Sequence, residues 1–173
     1  PIYVRTKKFR ISLCPQIGGF FADLSAEDNL KAVGEILIKD TKTRNLKIEE
    51  LISKFELDAV RKVEAKFLSG GLKRRLTISM SLLGDPEILL MDEPLAALDP
   101  QTIQMVQNII IKLQSEYNLT IFITDHQSRD LLVVCDKVFI LANSKIVAEG
   151  TPNEVMKNEN ATKHYFGSNF KFK

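Results

Sequence analysis

The chain has 173 residues, of which 45% are hydrophobic and 27% charged, and its formal net charge is +2. This length suits one domain or a large part of one, and the hydrophobic share is enough for a core. So small a net charge argues against a nucleic-acid-binding surface, and no apolar run approaches the roughly 18 residues of a membrane-spanning helix, so we expect any membrane role to go through a partner.

The first part of the chain is predicted to form a short strand followed by helices. An apolar run at residues 11–14 predicts the strand. Ser25 followed by Asp28 is a variant capping box and predicts the start of a helix. The polar stretch TKTRN, residues 41–45, predicts a loop, and LKIEELISKF predicts a second helix after it.

After Pro86 the pattern changes to strands that alternate with helices. The short runs EILLM, TIFIT and KVFIL lack polar alternation, which is typical of strands buried on both faces. Between the first two, Asp99 is predicted to cap a helix that has Pro100 in its first turn, and a second helix is predicted from about Gln127 to Cys135. This alternation predicts an α/β fold with a mostly parallel sheet.

The C-terminal part is predicted to form a hairpin and a helix. Asn143-Ser144 separates two strand-like runs, KVFILA and KIVAEG, and therefore predicts a turn. Thr151, followed by Pro152 and Glu154, is predicted to cap the last helix.

Two carboxylates follow the first of the apolar strands. Asp92 and Glu93 are expected at the carboxyl edge of the sheet, where open α/β folds bind ligands. One carboxylate can hold hydrated Mg²⁺ while the next orients a water for attack on a phosphate. The alternative interpretation is a solvated strand end without a catalytic role.

Two further polar residues follow strands in the same way. His126 comes after TIFIT, so its imidazole can reach the same edge and donate to a phosphate oxygen; a structural histidine is the alternative. Gln16 follows the first strand, and its amide can reach a metal or a water.

The stretch LSGG opens a helix predicted from about Gly71 to Leu83. Backbone N–H groups of Ser69, Gly70 and Gly71 and the serine hydroxyl can approach an anion at the positive helix end; a plain capped turn is the alternative. The basic triplet at residues 73–75 is interpreted as a solvated helix face.

Five motifs in this order resemble the ATPase subunits of ABC transporters over nearly the whole chain. CPQ is similar to their Q-loop, LSGG to the signature, ILLMDEP to the Walker B strand, ALDP to the D-loop and TDH to the H-loop. The resemblance implies that Gln16 contacts Mg²⁺ and the attacking water and that Asp92 helps to hold Mg²⁺. It further implies that Glu93 polarises the water and that His126 contacts the γ-phosphate of ATP.

The signature and D-loop imply a dimer. By the resemblance, Ser69, Gly70 and Gly71 contact the γ-phosphate of a nucleotide bound to a second copy of the chain, and Asp99 organises the dimer interface. Leu72 stands where many members carry Gln or Glu, which removes a polar neighbour of the signature.

The resemblance implies a partial P-loop NTPase fold, a mostly parallel sheet flanked by helices with an α-helical signature subdomain. The expected regions are a Q-loop region, a helical subdomain, a catalytic core with Walker B, D-loop and H-loop, and a C-terminal helix and tail, at residues 1–24, 25–85, 86–150 and 151–173.

The main departure concerns the phosphate-binding loop. None of the eight glycines is followed by lysine, so the pattern G-x-x-x-x-G-K-S/T does not occur. We expect the chain to begin inside the domain and to be inactive as an ATPase on its own. A protein that naturally has no such loop is the alternative.

The finer resemblance is to the ATPases that power lipopolysaccharide export in Gram-negative bacteria, through ITDHQSRDLLVVCDKVFIL and the tail HYFGSNFKFK. It implies a homodimer at the cytoplasmic face of the inner membrane, bound to integral membrane subunits, with Phe20 and Phe21 as apolar contacts or as parts of a local core. Branched-chain amino-acid import ATPases, translation or repair ATPases of the same family, and an accessory fragment that binds partners without hydrolysing ATP remain as alternatives.

Overall fold

The computed structural model describes residue 4, residues 8–126 and residues 128–161. Its helices and strands are, in chain order, β1 (Ile11–Cys14), α1 (Ala26–Leu37), α2 (Thr41–Lys54), α3 (Gly70–Leu82), β2 (Ile88–Asp92), α4 (Pro100–Tyr117), β3 (Thr120–Thr124), α5 (Ser128–Leu132), β4 (Val138–Ala142), β5 (Lys145–Gly150), α6 (Pro152–Met156) and α7 (Glu159–Ala161). These residues form two compact units, one ending at His126 and the other following it. The tail HYFGSNFKFK lies outside the described residues.

The first unit contains a parallel sheet in the order β1-β2-β3. Cys14 is the register partner of Met91, and Asp92 is the register partner of Thr124. The parallel pairing predicted from the alternation of strands and helices is therefore confirmed for β2 and β3, and β1 joins them as a third parallel strand. Because all three run in the same direction, the residues that follow them meet at one edge.

The two faces of this sheet differ in burial. Leu89 and Met91 are almost completely buried on one face, where α3 lies against β1 and α4 against β3. On the other face, Leu13 and Phe122 are 53% and 55% exposed. The prediction that TIFIT is buried on both faces is thus wrong within the described residues, because its alternate side chains face solvent.

Helices fill the region between β1 and β2, as predicted. Ser25 caps α1, accepting a hydrogen bond from the Asp28 N–H at 3.1 Å, and its hydroxyl donates to the Asp28 carboxylate at 2.6 Å. The prediction of a loop at residues 41–45 is wrong, because α2 already begins at Thr41, capped by the Asp40 carboxylate, which accepts from the Thr43 N–H at 2.7 Å. These polar residues lie on the outer surface of a helix.

In the second unit, β4 and β5 pair antiparallel. Asn143 and Ser144 form the turn between them with φ angles of 50° and 60°, which confirms the hairpin. The prediction that KVFIL continues the parallel sheet is wrong within the described residues, since β4 pairs with β5. The predicted helix between TIFIT and KVFIL is also shorter, Ser128–Leu132. The predicted cap at Thr151 is confirmed as a complete capping box with Glu154.

No helix among the described residues is long and apolar enough to cross a bilayer.

Candidate active site

The two predicted carboxylates lie at the carboxyl edge of the parallel sheet. Asp92 is the last residue of β2, and its Oδ1 accepts a hydrogen bond from the Thr124 hydroxyl at 2.7 Å. Glu93 comes next, with a φ of 41°, and its N–H donates to the Thr124 carbonyl at 2.8 Å. A glutamate at this φ is strained, since a Cβ disfavours the left-handed region. The end of the third strand therefore contacts both acidic residues.

The Glu93 carboxylate receives a partner on each oxygen. The Gln16 amide Nε2 donates to Oε2, and the His126 Nδ1 lies 3.2 Å from Oε1. The Glu93 side chain is 27% exposed and that of His126 is 64% exposed, so the group remains open to solvent. Gln16 and His126, which follow β1 and β3, thus both contact the Glu93 carboxylate, which follows β2.

Arg74 is a residue of this site that the sequence analysis assigned to a solvated face. That prediction is wrong, because Arg74 is only 7% exposed. Its guanidinium donates to the Pro15 carbonyl at 2.9 Å and to the Glu93 carbonyl at 3.1 Å, with longer contacts to the Gln16 carbonyl at 3.5 Å and the Cys14 Sγ at 3.6 Å. One side chain from α3 therefore ties the segment after β1 to the segment after β2.

One sequence signal could have indicated this burial. After Arg75, the segment LTISMSLLG has no charged residue on any side of α3, so the helix continues into the interior on all faces. A basic residue two positions before such a segment has one side against the interior as well. Lys73 and Arg75 remain partly exposed.

The turn after Gln16 depends on two glycines. Gly18 and Gly19 have φ angles of 74° and 78°. A Cβ at Gly19 would lie 2.8 Å from side-chain carbons of both Pro15 and Thr77, closer than atoms can approach without a shift. Glycine is therefore required here by both conformation and space, and the turn brings the Gln16 segment against α3.

Asn29 fixes the backbone that follows this turn. Its side-chain oxygen accepts from the Phe21 N–H at 2.7 Å, and its side-chain nitrogen donates to the carbonyls of Phe21, Leu24 and Ser25. The Phe21 ring remains 52% exposed, whereas Phe20 is partly buried. The structure therefore presents Phe21 on a backbone segment that Asn29 holds by hydrogen bonds.

The signature residues lie at the start of α3, against the start of α4. Ser69 caps α3 and accepts from the Leu72 N–H at 3.4 Å. A Cβ on Gly71 would lie 3.3 Å from the Thr102 methyl group, whereas one on Gly70 would meet nothing within 4 Å. The Gly70 position is thus open to an approaching group.

Asp99 caps α4, as predicted. Its carboxylate accepts from the N–H groups of Gln101 and Thr102, each at 3.1 Å, and from the Thr102 hydroxyl at 2.5 Å. These bonds, above all the one from the Thr102 hydroxyl, hold the pKa of Asp99 below its ordinary value.

The signature residues and the carboxylate cluster occupy different places on the chain. A cleft of about 410 Å³ joins the starts of α3 and α4, lined by Glu56, Ser69, Gly71, Leu72, Arg75, Gln101, Thr102 and Met105. Neither carboxylate at the sheet edge, nor Gln16 or His126, belongs to its lining. The predicted site residues therefore form two groups.

Comparison with known proteins shows the family to which the chain belongs. The ABC transporter family model matches residues 4–96. The lipopolysaccharide export system ATP-binding protein LptB of Haemophilus influenzae is 37% identical over 172 residues, covering 99% of this chain and 70% of that protein. LptB of Escherichia coli K12 is 33% identical over 174 aligned positions, again with 99% and 70% coverage.

Solved structures show the same fold. CbiO1 from Clostridium perfringens, described as part of an ABC transporter complex, has a TM-score of 0.81 at 22% identity, over 94% of this chain and 64% of that one. An ATP-binding cassette of an ABC transporter in its ADP conformation has a TM-score of 0.79 at 21% identity, over 95% and 71%. The fold is thus that of ABC ATPase domains, and the chain belongs to the ABC transporter family.

Proposed function

We propose that this chain provides catalytic residues for ATP hydrolysis in an ABC transporter that exports lipopolysaccharide. The observation that carries the hydrolytic part is the Glu93 carboxylate, which is held between the Gln16 amide and the His126 imidazole next to Asp92. A carboxylate in this position can orient and polarise a water for attack on a phosphate.

The residues at the sheet edge fit Mg²⁺ by their chemistry. Asp92, Glu93 and Gln16 offer the hard oxygen donors that Mg²⁺ prefers. Among the described residues, no group of three or more His, Cys, Asp or Glu side chains is placed to hold a metal ion. That agrees with the usual Mg²⁺ site, in which one or two carboxylates act together with substrate phosphates and waters. When bound, Mg²⁺ would neutralise charge on the phosphates.

In the mechanism, each side chain of the cluster has a separate task. Asp92, whose Oδ1 accepts the bond from the Thr124 hydroxyl, would help to hold Mg²⁺. Glu93 would orient the water, and Gln16, whose amide donates to the Glu93 carboxylate, would contact that water and Mg²⁺. His126 donates to the γ-phosphate, where negative charge develops. Arg74 keeps the Glu93 backbone in its strained conformation and so aims its carboxylate.

The signature residues support an arrangement of two copies. Ser69 and Gly70 lie at the N-terminus of α3, where backbone N–H groups attract an anion. Because their cleft is not lined by the carboxylate cluster, the two groups can contact one nucleotide if each comes from a different copy. Asp99 would then organise the interface between the copies.

The substrate and partners follow from the relatives. The LptB proteins at 37% and 33% identity are named for lipopolysaccharide export. We infer that integral membrane subunits bind this chain at the cytoplasmic face of the inner membrane. Phe21 and Ile17, which are 52% and 84% exposed beside the cluster, are suited to apolar contact with them. The net charge of +2 gives no support for nucleic acid as a partner.

The test is ATP hydrolysis by the natural protein that carries this sequence, purified with its membrane subunits. We expect Glu93→Gln to abolish hydrolysis while ATP still binds. Glu87→Gln is the matched control, because Glu87 is an exposed carboxylate just before the same strand, paired with Arg10. Equal hydrolysis by Glu93→Gln and the parent would contradict the proposal.

The transported substrate needs a second measurement. In proteoliposomes, ATP should drive release of labelled lipopolysaccharide to an acceptor, and Glu93→Gln should prevent it. ATP-driven uptake of a branched-chain amino acid without lipopolysaccharide release would favour the alternative transporter class.

A further inference from the structure

Thr124 contacts both acidic residues of the sheet edge. As the register partner of Asp92, it ends β3 where Asp92 ends β2. Its hydroxyl donates to the Asp92 Oδ1 at 2.7 Å, and its carbonyl accepts from the Glu93 N–H at 2.8 Å. Thr124 thus bonds to Asp92 through its side chain and to Glu93 through its backbone.

The hydroxyl bond controls the orientation of the Asp92 carboxylate. Asp92 is exposed, and the terminal torsion of an unrestrained aspartate is broad. Thr124 is β-branched, so its own χ1 is stiff and its hydroxyl direction follows from the strand backbone. The bond occupies Oδ1 and leaves Oδ2 available to a ligand.

Such a hydroxyl can act in two ways that differ in their consequences. If it only secures the end of the sheet, its loss lowers stability and leaves ligand affinity unchanged. If it orients a metal-binding carboxylate, its loss weakens cation binding in a protein that remains folded. Partners that orient metal-binding groups typically change affinity by about 10- to 100-fold when removed.

We propose that Thr124 is a positioning residue that holds the Asp92 carboxylate in the orientation required to bind a divalent cation. The proposal rests on the proposed function in one respect, since Asp92 is taken as the cation-binding carboxylate. Thr124 acts only through Asp92 and does not itself contact the reacting groups. The Glu93 N–H donates to the backbone carbonyl of Thr124, so this bond does not depend on the side chain at position 124.

The experiment measures Mn²⁺ binding to the natural protein that carries this sequence, by electron paramagnetic resonance of the free ion, with and without ATP. Thr124→Val removes the hydroxyl and keeps the branched shape. We expect it to raise the Mn²⁺ dissociation constant about 10-fold or more. Thr124→Ser, which keeps the hydroxyl, should restore affinity close to that of the parent.

The chain offers a matched control on the same strand. Thr120 is exposed and begins β3, opposite Ile88 and away from the carboxylates. Thr120→Val should leave Mn²⁺ affinity unchanged. Asp92→Asn should remove the Thr124-dependent site. If valine unfolds the protein, as circular dichroism would show, Thr124→Ala is the second variant without a hydroxyl.

The outcomes separate the two proposals. Equal Mn²⁺ affinity in the parent and Thr124→Val, or a parent site that survives Asp92→Asn, would overturn the role of Thr124. A loss of affinity in Thr124→Val but not in Thr124→Ser supports it. If Thr124→Val loses Mn²⁺ affinity but the parent protein never hydrolyses ATP, the proposed function fails while the role of Thr124 stands.

Discussion

Replacing Arg74 by methionine should destabilise the protein and reduce its activity together. Methionine keeps an unbranched apolar stem in the same space and removes the guanidinium. Arg74 is 7% exposed, and its donors reach the carbonyls of Pro15 and Glu93. The substitution therefore cuts the link between the segment after β1 and the segment after β2.

The expected magnitude follows from the two shorter bonds, at 2.9 Å and 3.1 Å. A hydrogen bond that involves a charged group contributes about 1.5–3 kcal/mol, so two contribute about 3–6 kcal/mol. The contacts at 3.5 Å and 3.6 Å add little. Two effects offset part of this loss, because water can bond to the partly exposed backbone and the charged guanidinium no longer has to be buried. The free energy of unfolding should therefore fall by about 2–4 kcal/mol.

Urea denaturation of the natural protein and of Arg74→Met measures this loss directly. In the same proteins, kcat for ATP hydrolysis should fall more than KM rises, because the Glu93 carbonyl loses its hydrogen bond from Arg74. Arg74→Lys, with a single donor group, should recover part of both. Lys73→Met is the control, since the Lys73 ammonium donates to the Lys66 carbonyl on the surface, at 3.0 Å.

The reasoning would be refuted by an Arg74→Met protein whose unfolding free energy lies within about 0.5 kcal/mol of the parent, the range usual for surface substitutions. Normal hydrolysis in a destabilised Arg74→Met protein would refute only the catalytic part, since Glu93 would then hold its position without Arg74.

Three further predictions concern separate parts of the first unit. His126→Ala should reduce ATP hydrolysis by roughly two or more orders of magnitude in a steady-state phosphate assay, through the loss of a transition-state contact, and near-normal turnover would assign His126 a structural role. Gly19→Ala should lower the unfolding free energy by about 1–3 kcal/mol, and Gly18→Ala by less in the same urea titration, because both have positive φ but only the Gly19 Cβ would clash. Hydrogen bonds from Lys31 and two further cations lower the pKa of Glu27 to about 2. The carboxylate therefore stabilises the fold fully above its unfolded pKa of 4.5 and loses this contribution as pH falls towards 2, so thermal melts of the parent and Glu27→Gln should converge across that range.

Local features of this protein could be read from its sequence, because they depend on neighbouring residues. The caps at Ser25, Asp99 and Thr151 each satisfy N–H groups two or three positions away, and all three are found as predicted. The grouping of Gln16 and His126 around Glu93 was also foreseeable, since parallel strands end at one edge. The prediction of a loop at residues 41–45 was wrong because the polar residues there form an exposed helix face. Asp40, which caps this helix, indicates its start in the sequence.

The tertiary structure alone decided which distant groups meet. Arg74 looks like its basic neighbours in the sequence, and only the packing of α3 against β1 places it on the backbone of Glu93, 19 positions away. Thr124 is an ordinary strand residue until the register with β2 sets its hydroxyl on Asp92. Local hydrogen bonds and periodicity act within a few residues, whereas burial and strand register depend on contacts between segments far apart in the chain.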